Sequence, residues 1–194
     1  MANYKQMEEY YQKLKSAFDS KKVFDYYNQD RAHNATVFRL MLDESENIFM
    51  YCGELSLLRI PFYDLVVGGD KDKNNTEPIM TSMYESLSKF FKKSNSHICV
   101  ILENKQDIDN FKDTNLVRSA LDNKQLEIYY LGNDLTTRND LNHFTVTDSE
   151  IVRVEQDKEQ HSAICTLNDE EYYLQFNKYF QQILSYSKPL NIKL

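Results

Sequence analysis

The sequence predicts an α/β fold with a mixed, mostly parallel sheet flanked by helices, and three observations carry that reading. The uninterrupted apolar runs "NIFMYC" (47–52), "HICVIL" (97–102) and "LEIYYL" (126–131) have the pattern of strands covered on both faces. Helical periodicity fills the intervals between them, so right-handed crossovers would lay these strands parallel. Beyond residue 142 the period changes to two: "HFTVT" and "IVRVE" alternate about "DSE", which is hairpin chemistry.

Taken in order, Met7, Tyr10, Tyr11, Leu14 and Phe18 recur at three-to-four spacing and predict an amphipathic helix over residues 4–18. Residues 1–29 are read as a helical extension, ending in an irregular Tyr-rich stretch, and 30–194 as the α/β domain. "RAHNATVFRLMLDESE" predicts a second helix with Ala35, Phe38 and Leu42 on one stripe. "NIFMYC" then ends at Gly53. Residues 68–77, "GGDKDKNNTE", form the clearest loop and the best candidate for a mobile segment. Pro78 suits the first turn of the next helix, with Thr76 as cap, and Met80, Met83, Tyr84, Leu87, Phe90 and Phe91 as its apolar face. Core packing explains that Met-rich stripe better than an adaptable groove does.

A helix over 107–122, with Ile108, Phe111, Val117 and Leu121 inward, separates the second and third apolar runs. After the hairpin, "SAICTL" reads as a further strand. A terminal helix follows, capped by Asn168 or Asp169, with Tyr173, Phe176, Phe180 and Ile183 as its stripe and Pro189 marking its end.

Composition limits the function classes. In 194 residues, 14 Tyr and 11 Phe supply a core without any Trp, and one well-packed domain accounts for the length. Cys52, Cys99 and Cys165 stand singly in apolar surroundings, so buried free thiols are expected and a structural zinc site is not. The formal net charge of −7 opposes broad binding to a nucleic-acid backbone, while leaving room for a local basic groove. The lysine pairs 21–22 and 92–93 fall at helix ends, where cations complement the dipole. No apolar run approaches the length of a membrane span, and the N-terminal segment lacks a signal-peptide core, so a cytosolic protein is expected.

In the first hairpin strand, His143, Thr145 and Thr147 share one face and Phe144 and Val146 the other. An apolar back with a polar front fits a site floor, and equally a half-exposed strand. Asp148 and Ser149 are natural turn residues. The ends of the apolar strands offer Gly53, Glu54 and Ser56, then Glu103 and Asn104, then Asn133 and Asp134. Should these converge beside His143, the mouth would be acidic. Other templates are missing: there is no phosphate-cradling glycine loop, no G-x-S-x-G elbow, and no metal-ligand spacing among His33, His97 and His161. "HFT" has no second H-x-[ST] to complete a two-histidine phosphoesterase.

The order of elements, with "HFTVTDSEIVRVEQDKEQHSAICTLND", the aromatic helix after it and "NIFMYCGELSLL", resembles one unit of the phospholipase D-like superfamily over roughly residues 30–188. That family uses H-x-K-x-x-x-x-D from each of two units. One histidine attacks phosphorus, the other protonates the leaving group, and the lysines hold phosphoryl oxygens. Laid on this chain, the histidine is His143, the lysine position is Thr145 and the aspartate position is Glu150. Losing electrostatic stabilisation comparable to the lysine's typically costs on the order of 2.7–4 kcal/mol. Arg153 could replace that cation, but alternation places it on the face of Glu155, which would neutralise it.

The resemblance implies a degenerate, self-pairing binding or regulatory module with a protein partner as one ligand class; the strand-end groups Glu54, Ser56, Glu103 and Asn104, together with Arg153, are the candidate binding residues. Its alternative is a homodimeric, metal-independent phosphodiesterase or nuclease using His143 from each subunit, with Thr145 and Glu150 as modified supports. An acidic mimic of nucleic acid is a third, weaker reading. Neither main reading calls for a cofactor or metal. By fold analogy, such a unit would suit bacterial nucleic-acid processing, defence or a mobile element.

Overall fold

Alternation along a strand lets one sheet bury two different faces, and here the two faces carry separate cores. The computed structural model describes residues 4–60, 63, 73–131, 141–157, 162–192 and 194. In chain order these form α1 (Tyr4–Asp19), β1 (Phe24–Asn28), α2 (Arg31–Glu44), β2 (Asn47–Cys52), a 3-10 turn (Ser56–Leu58), α3 (Lys73–Phe90), β3 (His97–Leu102), α4 (Thr114–Asp122), β4 (Leu126–Leu131), β5 (Phe144–Thr147), β6 (Ile151–Asp157), β7 (Ser162–Leu167), α5 (Glu170–Ser185) and β8 (Ser187–Pro189). The strands make one sheet in the order β1-β7-β6-β5-β2-β3-β4-β8.

The mixed α/β architecture is as expected; the mostly parallel sheet is corrected. Among the described residues only β2/β3 and β3/β4 pair in parallel, and the other five pairings are antiparallel. Parallel pairing is confined to strands joined by long helical crossovers. In the C-terminal half, short connections return β6 against β5 and β7 against β6, and β1/β7, β2/β5 and β4/β8 add antiparallel pairings between strands distant in sequence.

On one face, Ile48 and Met50 of β2, Ile98, Val100 and Leu102 of β3, and Leu126 and Ile128 of β4 pack in one core with α1, α2, α3 and α4. Helix α2 is central to it: Ala35, Val37, Phe38, Leu40, Met41 and Leu42 are all buried, while Arg31 and Asn34 remain at the cavity. The methionines of α3, Met80 and Met83, are fully buried in the same core. On the opposite face Tyr51, Ile101, Phe144, Val146, Val152 and Val154 lie with Phe180 and Ile183 of α5.

Several local expectations change. The stretch expected to be irregular contains β1, which pairs with β7. Helix α3 begins at Lys73, so Pro78 lies inside it and residues 73–77 of the expected loop are helical. Residues 68–72 of that loop fall outside the described residues. The helix expected over 107–122 starts only at Thr114, where the carboxylate of Asp113 accepts from the Leu116 amide at 2.9 Å. Before it the chain is held to the 56–60 segment, through Ile60 N–H to the Asn110 carbonyl (2.7 Å) and Lys112 N–H to that of Leu58 (3.0 Å). Ile108 and Phe111 are buried from this non-helical segment. At α5, Asp169 is the cap. Asn168 adopts φ 58° and donates its side-chain amide to the carbonyls of Ala17, Phe18 and Lys22, tying the end of α1 to the start of α5. Among the described residues, no helix is long and apolar enough to cross a membrane.

Candidate functional site

The register of the β5–β6 hairpin builds the site floor. Phe144 lies opposite Val154 and Thr145 opposite Arg153, and the Glu155 amide donates to the His143 carbonyl at 2.8 Å. His143 therefore faces Glu155 across the ladder, two residues along from the Thr145–Arg153 pair and on the same face. All four belong to the sheet face that carries the α1–α4 layer. Phe144 and Val146 turn into the other core, beneath α5. The polar front is not half-exposed: Thr145 is buried, and Thr147 completely so. Such burial of polar residues requires partners.

His143 has a carboxylate at each ring nitrogen. Nδ1 lies 2.7 Å from Oε2 of Glu155, and Nε2 lies 3.3 Å from Oε2 of Glu103. The edge of Tyr51 closes against the ring at 5.7 Å between centroids. Gly53 passes so close that a Cβ there would sit 2.9 Å from Cε1 of His143. Glycine at this strand end is thus required by the histidine, not by a turn. Glu103 reaches the ring from the end of β3, where its amide donates to the Cys52 carbonyl at 2.9 Å.

Above this floor opens a cavity of about 290 Å³. Arg31, Arg59 and Arg153 line it together with Asn34 and His143; Glu54, Ser56 and Glu155 also reach it. The acidic mouth expected from the strand ends is corrected accordingly. Glu54 and Glu103 do approach, but two arginines that belonged to no motif, Arg31 at the head of α2 and Arg59 after the 3-10 turn, enter the same wall. Arg59 is itself held by Asp109, through Nη2 to the carboxylate at 2.9 Å and Nε to the carbonyl at 3.0 Å.

Arg153 Nε donates to Oδ1 of Asn34 at 3.1 Å. Burial pulls its guanidinium below the ordinary value, and the charge of Glu155 works in the opposite direction. Burial likewise pushes the Cys52 thiol in the cavity wall up to about 12, so it is not a ready thiolate nucleophile.

The structure does not bring every candidate together. His143, Thr145, Arg153, Glu54 and Ser56 line the cavity, and Glu103 meets His143. Asn104 is exposed and does not line it. Asn133 and Asp134 lie outside the described residues, as does His161. Glu150 sits in the hairpin turn with φ 61°. It is thus at the far end of β5 from His143, about 13 Å along the strand. Asp148 serves the turn as expected, its carboxylate accepting from the amides of Glu46 and Asn47, both at 3.1 Å. The acid that meets Nδ1 of the histidine is Glu155. Hairpin pairing across "DSE" was the signal that could have found it.

No protein-family model and no curated protein sequence matches the chain. Solved structures do. Nuc from Salmonella typhimurium, a phospholipase D family member, aligns with a TM-score of 0.47 and 9% identity, covering 88% of this chain and 98% of its own. NucT from Helicobacter pylori aligns with a TM-score of 0.51 and 11% identity, covering 87% and 99%. TrmBL2, an archaeal chromatin protein with a novel mode of DNA binding, gives 0.50 and 11%, covering 96% of this chain and 62% of its own. The likeness is one of fold. The chain has a phospholipase D-like fold, and its chemistry is to be read from its own residues.

Proposed function

We propose that the chain is a phospholipase D-like binding module that takes a phosphate-bearing ligand into the His143 cavity without efficient turnover, self-associating across that face. The supporting observation is the setting of the histidine: carboxylates lie at both ring nitrogens, Glu155 at 2.7 Å and Glu103 at 3.3 Å. Attack on phosphorus needs a ring nitrogen with open approach, and an oxyanion would meet the charge of Glu103 there. The wall brings the guanidinium groups of Arg31, Arg59 and Arg153 toward an anion in the cavity. Thr145 in the lysine position offers one neutral hydroxyl to a developing dianion.

A second reading, the homodimeric phosphodiesterase, is favoured by the Glu155 contact. A carboxylate on Nδ1 fixes the tautomer and orientation of a histidine, as nucleophilic and general-base histidines require. The likeness to TrmBL2, described as binding DNA, makes DNA the first ligand to try.

One experiment separates the readings. Sedimentation of the wild type and His143→Ala is combined with cleavage assays on single- and double-stranded DNA, RNA and bis(p-nitrophenyl) phosphate, with and without chelator. Equilibrium binding of a short phosphorothioate oligonucleotide runs in parallel. Saturable binding without His143-dependent turnover is the expected result. Chelator-resistant cleavage that vanishes in His143→Ala would instead establish the enzyme.

A further inference from the structure

The family motif places its cation two residues after the histidine on the same strand, and here that position is Thr145. Its direct cross-strand neighbour is Arg153. Residues facing each other across an antiparallel ladder point to the same side, with Cβ atoms about 5 Å apart. A long side chain rooted at 153 can therefore deliver charge to the space that a lysine at 145 would fill. Arg153 does line the cavity.

Its orientation is constrained. With Nε donating to Asn34 at 3.1 Å, the side-on edge of the guanidinium is used. Among the described residues the two amino groups have no hydrogen-bond acceptor, so the end-on fork of Nη1 and Nη2 remains for a ligand. Asn34 does not act alone: Asn28 Nδ2 donates to its Oδ1 at 3.4 Å, and the Tyr10 hydroxyl donates to Asn28 Oδ1 at 2.6 Å. The path from cavity to α1 is thus Arg153, Asn34, Asn28, Tyr10. Glu155, whose charge acts on Arg153, also makes a 2.7 Å contact with His143, so its carboxylate is shared between the two.

We infer that Arg153, aimed by Asn34, is the oxyanion-binding cation of this site, relocated from the histidine strand to its neighbour, and that it grips two non-bridging oxygens of one phosphate end-on. The inference rests on the phosphate-binding reading above and deepens it. A planar fork differs from an ammonium: it fixes the direction of the oxygen pair, whereas lysine supplies a point charge. Arg153→Lys is accordingly not a conservative change, and Asn34 is a positioning residue.

The test is titration of the full-length protein with a short single-stranded phosphorothioate oligonucleotide, with inorganic phosphate as competitor. Arg153→Met is expected to weaken binding about ten-fold, the loss typical of a charge-assisted pair, and to reduce the salt slope by about one phosphate contact. Arg153→Lys recovers little, whereas Thr145→Lys in the Arg153→Met background recovers most of the affinity by returning the cation to the histidine strand. Asn34→Ala keeps the charge but frees its aim, and weakens binding several-fold; Asn34→Gln, which retains a neutral amide acceptor, recovers part of it. The Asn34 pair decides the matter should Arg153→Met fail to fold. Unchanged affinity in Arg153→Met and Asn34→Ala, with binding still lost in Arg31→Gln or Arg59→Gln, would overturn the inference and leave the binding reading standing. Absence of saturable, phosphate-competed binding by the wild type would overturn both.

Discussion

Nδ1 of His143 and Oε2 of Glu155 stand 2.7 Å apart although twelve residues separate them in sequence. The hairpin places them opposite, and both side chains are largely shielded, at 15% and 12% exposure. Shielding makes the pair structural as well as chemical, because each group loses water that the contact helps to replace.

Glu155→Leu should therefore lower unfolding free energy by about 2–3 kcal/mol, since it strands both the His143 ring and the charge of Arg153. Glu155→Gln, which keeps a hydrogen-bonding side chain, should lose less. Urea unfolding reads both. In a His143→Leu background the cost of Glu155→Leu should shrink by about 1 kcal/mol, the coupling expected of contacting residues. Strict additivity would show that the contact is not formed in solution.

Gly53 offers a second check on the histidine. A Cβ built there lies 2.9 Å from Cε1 and 3.3 Å from Nε2 of His143, with Glu103 Oε2 at 3.7 Å. The ring has little room to yield, because carboxylates hold it on two sides. Gly53→Ala should cost about 1–3 kcal/mol as an overpacking change and should shift the His143 Cε1–H resonance. A variant with wild-type stability and an unmoved resonance would count against the described close approach.

How much of this was legible in the sequence depends on the kind of signal. The runs 47–52, 97–102, 126–131 and 162–167 appear as strands with the expected boundaries, because continuous burial leaves an unbroken apolar word. Strands β1 and β8 were missed: each is a short edge strand, and "FDYYN" and "SKP" bury too little to carry a pattern. Residues 107–113 imitated a helix because Ile108 and Phe111 are buried from a loop, which places apolar residues without regard to period. At the site, His143 and Thr145 could be placed on one face from alternation alone. Glu155 and Arg153 needed the cross-strand register, and Arg31 and Arg59 needed the packing of α2 and the 3-10 turn against the sheet. Motif spacing along one strand cannot report such neighbours.

Alkaline pH should destabilise the fold. Burial pushes the thiols of Cys99 and Cys165 up to about 12, against about 8.5 for an unfolded cysteine. The unfolded chain thus releases these protons first. Their contribution is fully present below pH about 8.5 and is lost as pH rises toward 12, with a slope of up to about 1.4 kcal/mol per pH unit for each thiol. Urea midpoints at pH 7.5, 9 and 10 should fall for the wild type. They should fall less steeply for Cys99→Ala/Cys165→Ala, whatever the absolute cost of the substitutions. Identical slopes would mean that the thiols are solvated in the native state.

Glu103 makes the last test, and it bears on what the cavity is for. Its carboxylate lies 3.3 Å from Nε2 of His143, where an incoming oxyanion would approach the ring. Two unit charges a few ångströms apart interact by a few kcal/mol at an effective dielectric constant near 20. The Glu103 side chain is 24% exposed, so solvent screening reduces that repulsion. Glu103→Gln preserves shape and a hydrogen-bonding partner for the ring while removing the charge. Affinity for the phosphorothioate oligonucleotide should then rise about three- to ten-fold, without loss of stability. Should the same substitution also release His143-dependent cleavage, the module would be a phosphodiesterase restrained by this carboxylate. Should affinity fall instead, Glu103 would be supporting the ligand through His143, and the anion would have to enter from the arginine side of the cavity alone.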